Sequence, residues 1–152
     1  MALENVPAKI TRWLSGDGHE PPLLLVSEDE TYLQELREYA QQAAVCTEPN
    51  APCKACVACK QALTGTHPDI LVAMGTAKTI GMKEIKSLLT ALEHTSLHGR
   101  RLVVIPQAET LSPPAVSALL KSLEEPKAGT RFLLTSAFRR RILATIISRC
   151  MV

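Results

Sequence analysis

The chain has 152 residues, a formal net charge of +2, 46% hydrophobic residues and only 3% aromatic ones. That length suits a single domain whose core is built from Leu, Ile, Val and Ala. The weak charge makes no electrostatic case for nucleic-acid binding, and no apolar run reaches the length of a membrane span.

Residues 4–14 have the pattern of a short helix that stops at the breaker Ser15-Gly16-Asp17-Gly18. Pro21-Pro22 then leads into Leu23-Leu24-Leu25-Val26, a continuous apolar run expected of a strand covered on both faces. Asp29 is placed to cap a helix running to about Ala44. A short stretch follows that holds four of the five cysteines: Cys46, Cys53, Cys56 and Cys59. Thiols this close need a common partner, and four thiolates at about 2.3 Å complete a tetrahedral zinc shell with no open position. Such a closed shell makes a structural metal. Disulfides fit poorly, because neighbouring sulfurs at this spacing bridge badly and the N-terminus lacks a secretory signal. An iron–sulfur cluster fits poorly too. Cys59 is followed by Lys60, Gln61 and Ala62 where a ferredoxin run continues to another cysteine and a proline. Zinc is therefore the expected cofactor, with His67 as the alternative to Cys46 for the fourth ligand. Cys150 stands apart and reads as an ordinary buried thiol. Reduced cysteines point to the cytoplasm.

Pro49 and Pro52 break regular structure within the cysteine module, and Lys60 to Leu63 belong to a short helix. Asp69 to Met74 reads as a second strand. Ile80 to His94 has helical spacing at Ile80, Ile85, Leu88, Leu89 and Leu92. Arg101 to Ile105 is a third strand. Ser112 caps a helix with Pro113 at its first position, which ends before Pro126. Thr130 to Thr135 is a fourth strand, and Ile142 to Ser148 holds a final turn or short helix and a fifth strand. Regular alternation of this kind implies an α/β domain with parallel strands and right-handed crossovers. Trp13 and Met82 read as packing residues. The basic run Arg139, Arg140 and Arg141 reads as a solvated helix start. Adjacent Glu124 and Glu125 point apart on a helix and are rejected as a pair of catalytic acids.

In an open parallel sheet the chemistry sits at the carboxyl ends of the strands. After the first strand stands Ser27-Glu28-Asp29-Glu30-Thr31. A phosphate-binding loop needs glycines and a lysine there; this turn has neither, and its three carboxylates would repel a triphosphate. After the third strand stands Pro106-Gln107-Ala108-Glu109. An ATPase needs one acid here for Mg²⁺ and another to orient water. Two parts of a nucleotide machine are thus missing together.

The stretch LVVIPQAETLSPPAVSALLKSLEEP, the later FLLTS and the closing IISRC resemble the clamp-loader subunits of bacterial DNA polymerase III. The cysteine module lies where gamma/tau and delta-prime subunits carry a zinc site, and HPDI at 67–70 also matches. The match covers nearly the whole chain, and the combination of LLKSLEEP, the cysteines and SRC is highly specific. The interval between Cys46 and Cys53 is shorter than the family's. The resemblance implies an AAA+, P-loop-NTPase-like, three-layer domain over residues 1–152. It has a five-stranded parallel sheet and an inserted zinc module at about 46–60. The family's helical lid and collar lie beyond this stretch.

Within the family, gamma/tau hydrolyses ATP and delta-prime typically does not. The degenerate turn and the lost acids align this chain with delta-prime. The resemblance then implies a stator that works with gamma/tau and delta subunits to load the sliding clamp on primed DNA. It implies no bound ATP, and an arginine finger supplied in trans from Arg149. In their family places, Thr135 and Ser136 stand at the sensor position and are expected to bond to backbone instead. Two other readings stay open from the residues: an ATP-binding gamma/tau-like clamp-loader ATPase, and a zinc-dependent nucleic-acid-binding module. A lone Arg149 that only pairs with a carboxylate is the plain alternative to the finger.

Overall fold

A computed structural model describes residues 7–16, 20–49, 51–73, 79–94 and 100–151. The elements in chain order are α1 (Ala8–Leu14), β1 (Leu23–Val26), α2 (Glu30–Val45), α3 (Val57–Thr64), β2 (Ile70–Val72), α4 (Met82–Glu93), β3 (Arg101–Ile105), α5 (Pro113–Glu124), β4 (Thr130–Ser136) and α6 (Ala144–Ile147). The strands form one parallel sheet in the order β1-β4-β3-β2.

Alternate residues of the strands feed two apolar layers. Leu24, Val103, Ile105, Phe132 and Leu134 pack on Ile85, Leu88 and Leu92 of α4 and on Val116, Leu119 and Leu123 of α5. Leu23, Leu102, Val104 and Leu133 pack on the other side against Ile10 and Trp13 of α1 and Leu36 and Ala40 of α2. Every residue of β3 and β4 is buried, as expected of strands covered on both faces. Each fully buried Leu contributes about 1.5–3 kcal/mol of transfer free energy, so the aliphatic composition suffices for this three-layer core.

Two charged residues at strand starts serve the helices. Arg101 is buried and donates to the carbonyls of Ala91, Leu92 and His94 at the end of α4, with Asp69 3.9 Å away. Arg131 donates to the carbonyls of Trp13 (3.2 Å) and Gly16 (2.7 Å) beyond α1 and pairs with Glu20 at 3.5 Å. Helix C-termini present unpaired carbonyls and partial negative charge, which a guanidinium satisfies on both counts.

Several boundaries differ from the sequence-based expectation. Among the described residues the sheet has four strands, not five. The expected fifth is reduced to one bridge, Leu23 with Met151, closed by Leu24 N–H to Met151 O at 2.8 Å and Met151 N–H to Pro22 O at 2.7 Å. Helix α6 occupies the residues that would otherwise extend it. Ile80 is not helical, because its backbone pairs with Thr110 and Ser112 on either side of a bridge to Leu111; α4 starts only after Gly81. Met74, at the end of the expected second strand, and residues 4–6 of the first helix lie outside the described residues. Trp13 is buried as expected and donates to Pro21 O at 2.9 Å, whereas Met82 is 40% exposed and does little packing. No helix among the described residues is long and apolar enough to cross a membrane.

Candidate functional site

Helix α2 delivers Cys46 at its C-cap, and α3 delivers Cys56 at its N-cap and Cys59 one turn later. The chain between them turns at Lys54, whose φ is 65°. Gly65, at φ 75°, ends α3 in the left-handed region that glycine occupies without strain. The result brings the sulfurs of Cys46, Cys53, Cys56 and Cys59 within 4.8 Å of one another. Tetrahedral zinc bonds of about 2.3 Å require sulfurs about 3.8 Å apart, and Cys46 Sγ lies 4.0 Å from Cys56 Sγ. The donor set therefore fits the metal.

The backbone is aimed to match. Cys53 Sγ accepts from the N–H groups of Ala55 (3.5 Å) and Cys56 (3.2 Å), Cys46 Sγ from Cys53 (3.4 Å), and Cys56 Sγ from Cys59 (3.4 Å). At Cys53 such N–H donors favour the thiolate that a metal needs. The bonds from Ala55 and then Cys56 bring the Cys53 thiol down to about 7, while burial pushes Cys59 up to about 12. His67, the alternative ligand, lies outside this cluster. It is buried and its Nδ1 accepts from Asp69 N–H at 3.0 Å.

At the end of β1, Asp29 is the N-cap of α2. Its carboxylate accepts from Tyr32 N–H at 3.1 Å, and its own N–H donates to Ser27 Oγ at 3.1 Å. Glu28 and Glu30 are exposed beside it. The helix end is thus capped from within the chain. At the end of β3, Gln107 sits exposed with φ 53°, and its carbonyl accepts from both the N–H and the hydroxyl of Thr110.

Thr135 and Ser136 end β4 between these two turns. Ser136 Oγ accepts from Phe138 N–H at 2.9 Å, as expected of a hydroxyl bonded to backbone. Thr135 does not follow: its hydroxyl takes Arg37 Nη1 at 2.9 Å, and the same nitrogen reaches Glu30 Oε1 at 3.2 Å. Arg139–Arg141 form an exposed 3-10 turn, with Arg141 stacked 4.5 Å over the Phe138 ring.

Arg149 lies elsewhere. Met151 bridges the first residue of β1, so Arg149 stands near the N-terminal edge of the sheet, whereas the degenerate turn stands at the C-terminal edge. At about 3.3 Å per residue, the four residues of β1 alone separate the two by roughly 13 Å. Arg149 Nε and Nη2 contact Glu124 Oε1 at 2.6 and 2.5 Å, and Nη1 donates to Thr145 O at 2.8 Å. Arg149 thus makes the carboxylate pair of the plain alternative, with Glu124 at the end of α5 as the partner, while the contact of Arg37 with Thr135 was not anticipated. The contacts join positions 98 and 25 residues apart, and no local spacing signals them.

The family described as DNA polymerase III, delta subunit, matches residues 4–152. The chain is similar to a protein named DNA polymerase III subunit delta' from Pseudomonas aeruginosa, 38% identical over 120 residues, covering 76% of this chain and 37% of the relative. It is likewise similar to the protein of that name from Escherichia coli, 32% identical over 149 residues, covering 93% and 43%. The fold matches a crystal structure titled a DNA polymerase III gamma subunit-related protein from Thermotoga maritima, at a TM-score of 0.66 and 22% identity, covering 88% of this chain and 40% of that one. The chain thus spans about two fifths of the length of these relatives.

Proposed function

This chain belongs to the DNA polymerase III delta-subunit family and is delta-prime-like, and on that premise we propose that it acts as a clamp-loader subunit that does not hydrolyse ATP. Residues 1–152 act as the AAA+-like domain, with a zinc module at about 46–60. Its partners are gamma/tau and delta subunits, and through them the sliding clamp and primed DNA. The domain is a stator: it contributes geometry and one charge, not chemistry of its own.

One observation carries the reading. The helix end that would hold a phosphate is capped by Asp29's own carboxylate at 3.1 Å. An anion arriving there would have to displace a fixed negative charge and meet a second on Glu28, while Glu30 is paired with Arg37 at 3.2 Å. Pro106 and Gln107 themselves carry no carboxylate for Mg²⁺; the acid of this turn, Glu109, stands two residues on with Oε2 buried. Cys46, Cys53, Cys56 and Cys59 would hold zinc, which supplies a closed structural crosslink between α2 and α3.

Arg149 supplies its guanidinium to the ATP site of a neighbouring subunit. Its distance from the chain's own degenerate turn supports action in trans rather than in cis. A guanidinium stays charged at every working pH and offers forked donors to phosphate oxygens, and such fingers raise phosphoryl-transfer rates by about 10³–10⁵. Calorimetric titration of Mg-ATP into the protein tests the inactive site. The expected result is no saturable heat. Binding with a micromolar Kd would favour the gamma/tau-like ATPase instead.

A further inference from the structure

The guanidinium of Arg149 is gripped on two sides by its own chain. On one side Nε and Nη2 both reach a single oxygen, Glu124 Oε1, at 2.6 and 2.5 Å. On the other, Nη1 donates to Thr145 O at 2.8 Å and reaches Ser148 Oγ at 3.4 Å. Glu124 is the last residue of α5, and Thr145 lies in α6. The two helices therefore hold one head group between them, over a cavity of about 360 Å³ whose walls include Glu20, Pro22, Leu123 and Pro126.

From this geometry we propose that Glu124 is a positioning residue for Arg149, fixing the guanidinium so that its remaining N–H groups face a phosphate oxyanion of a nucleoside triphosphate held by an adjoining subunit. The proposal rests on the reading of Arg149 as a finger. A guanidinium has five N–H donors. Two point the same way along the Nε–Nη2 edge, and Glu124 takes that edge. The end-on pair, one N–H from each Nη, projects away from the side chain and matches the forked geometry of a phosphate. An arginine free to explore its rotamers would rarely present that pair, and catalytic groups lose rate steeply when misplaced. A removable latch accounts less well for the same contacts. Release from Glu124 would still leave Nη1 on the Thr145 carbonyl and beside Ser148 Oγ at 3.4 Å, so the arginine would stay tethered, while Nη2 keeps a second N–H beyond its contact with Glu124. Glu124 is half exposed, so solvent and salt partly screen its pairing with the guanidinium.

The test uses the full-length subunit reconstituted with gamma/tau-like and delta-like partners, reading DNA-stimulated ATPase. Arg149→Ala is the reference and should abolish the contribution of the site it faces. Glu124→Gln should lower kcat about tenfold, short of the roughly hundredfold loss that a 1 Å misplacement brings, and leave KM for ATP unchanged. Glu124→Asp, which keeps the charge, should recover part of the loss. In the Arg149→Ala background, Glu124→Gln should change nothing further. If Arg149→Ala impairs the complex while Glu124→Gln runs at or above the normal rate, the positioning role is overturned and the finger survives. An equal loss in both backgrounds would make Glu124 a structural residue and also overturn it. An undiminished rate in Arg149→Ala removes the finger itself, and the proposal with it.

Discussion

Cys150 and the four clustered cysteines meet different surroundings, and their thiols should behave differently. Burial pushes Cys150 up to about 11 from its ordinary 9.0. A group whose folded value is raised stabilises the fold fully below its unfolded value and loses that stabilisation as pH climbs to the folded one. The difference in unfolding free energy between the natural chain and Cys150→Ala should therefore be flat below about pH 9 and shrink between about 9 and 11, as followed by denaturant titration at each pH. A difference that stayed constant across that window would contradict the burial argument. At the cluster, the purified protein should carry about one zinc per chain, and Cys59→Ser should lose it. Metal analysis reads this directly. Loading should release protons, because Cys59, held up at about 12, must give up its own.

At the scale of elements, the core should punish loss of volume on either face of the sheet. Leu119 of α5 is fully buried among Val103, Ile105 and Phe132. Leu119→Ala should cost about 2–5 kcal/mol in urea unfolding. A cost near zero would mean that α5 does not pack as described. Most of these elements were legible from the residues. Arg101 to Ile105 is a run with no polar interruption after its first residue, and Ser112-Pro113 marks a helix start that the structure keeps. Asp29 caps α2 as its position suggested. What stayed hidden was set by tertiary contact. Ile80 looks helical by spacing but is claimed by a bridge to Leu111. The Thr135 hydroxyl looks ready for backbone but is claimed by Arg37 from a helix far back in the chain. The fifth strand failed for a related reason: α6 uses up the residues, and among the described residues only Met151 bridges β1. The four cysteines were plain from spacing, whereas their gathering within 4.8 Å, with His67 outside the cluster, depends on how α2 and α3 place them.

For the whole molecule, the proposed reading rests on two features that stand at opposite edges of the sheet. At the C-terminal edge of the sheet Asp29 caps α2, and Pro106 and Gln107 carry no acid. The opposite edge, beside the start of β1, carries Arg149 between α5 and α6. Its guanidinium is paired with Glu124 and borders a cavity. As the proposed finger, Arg149 needs a second subunit to complete the chemistry. The most direct measurement is the DNA-stimulated ATPase of a gamma/tau-like neighbour assembled with the full-length form of this chain, natural or Arg149→Ala. The account predicts that the substitution silences the neighbour's site while assembly stays intact. An assembled complex that hydrolysed ATP at the natural rate without this arginine would contradict it.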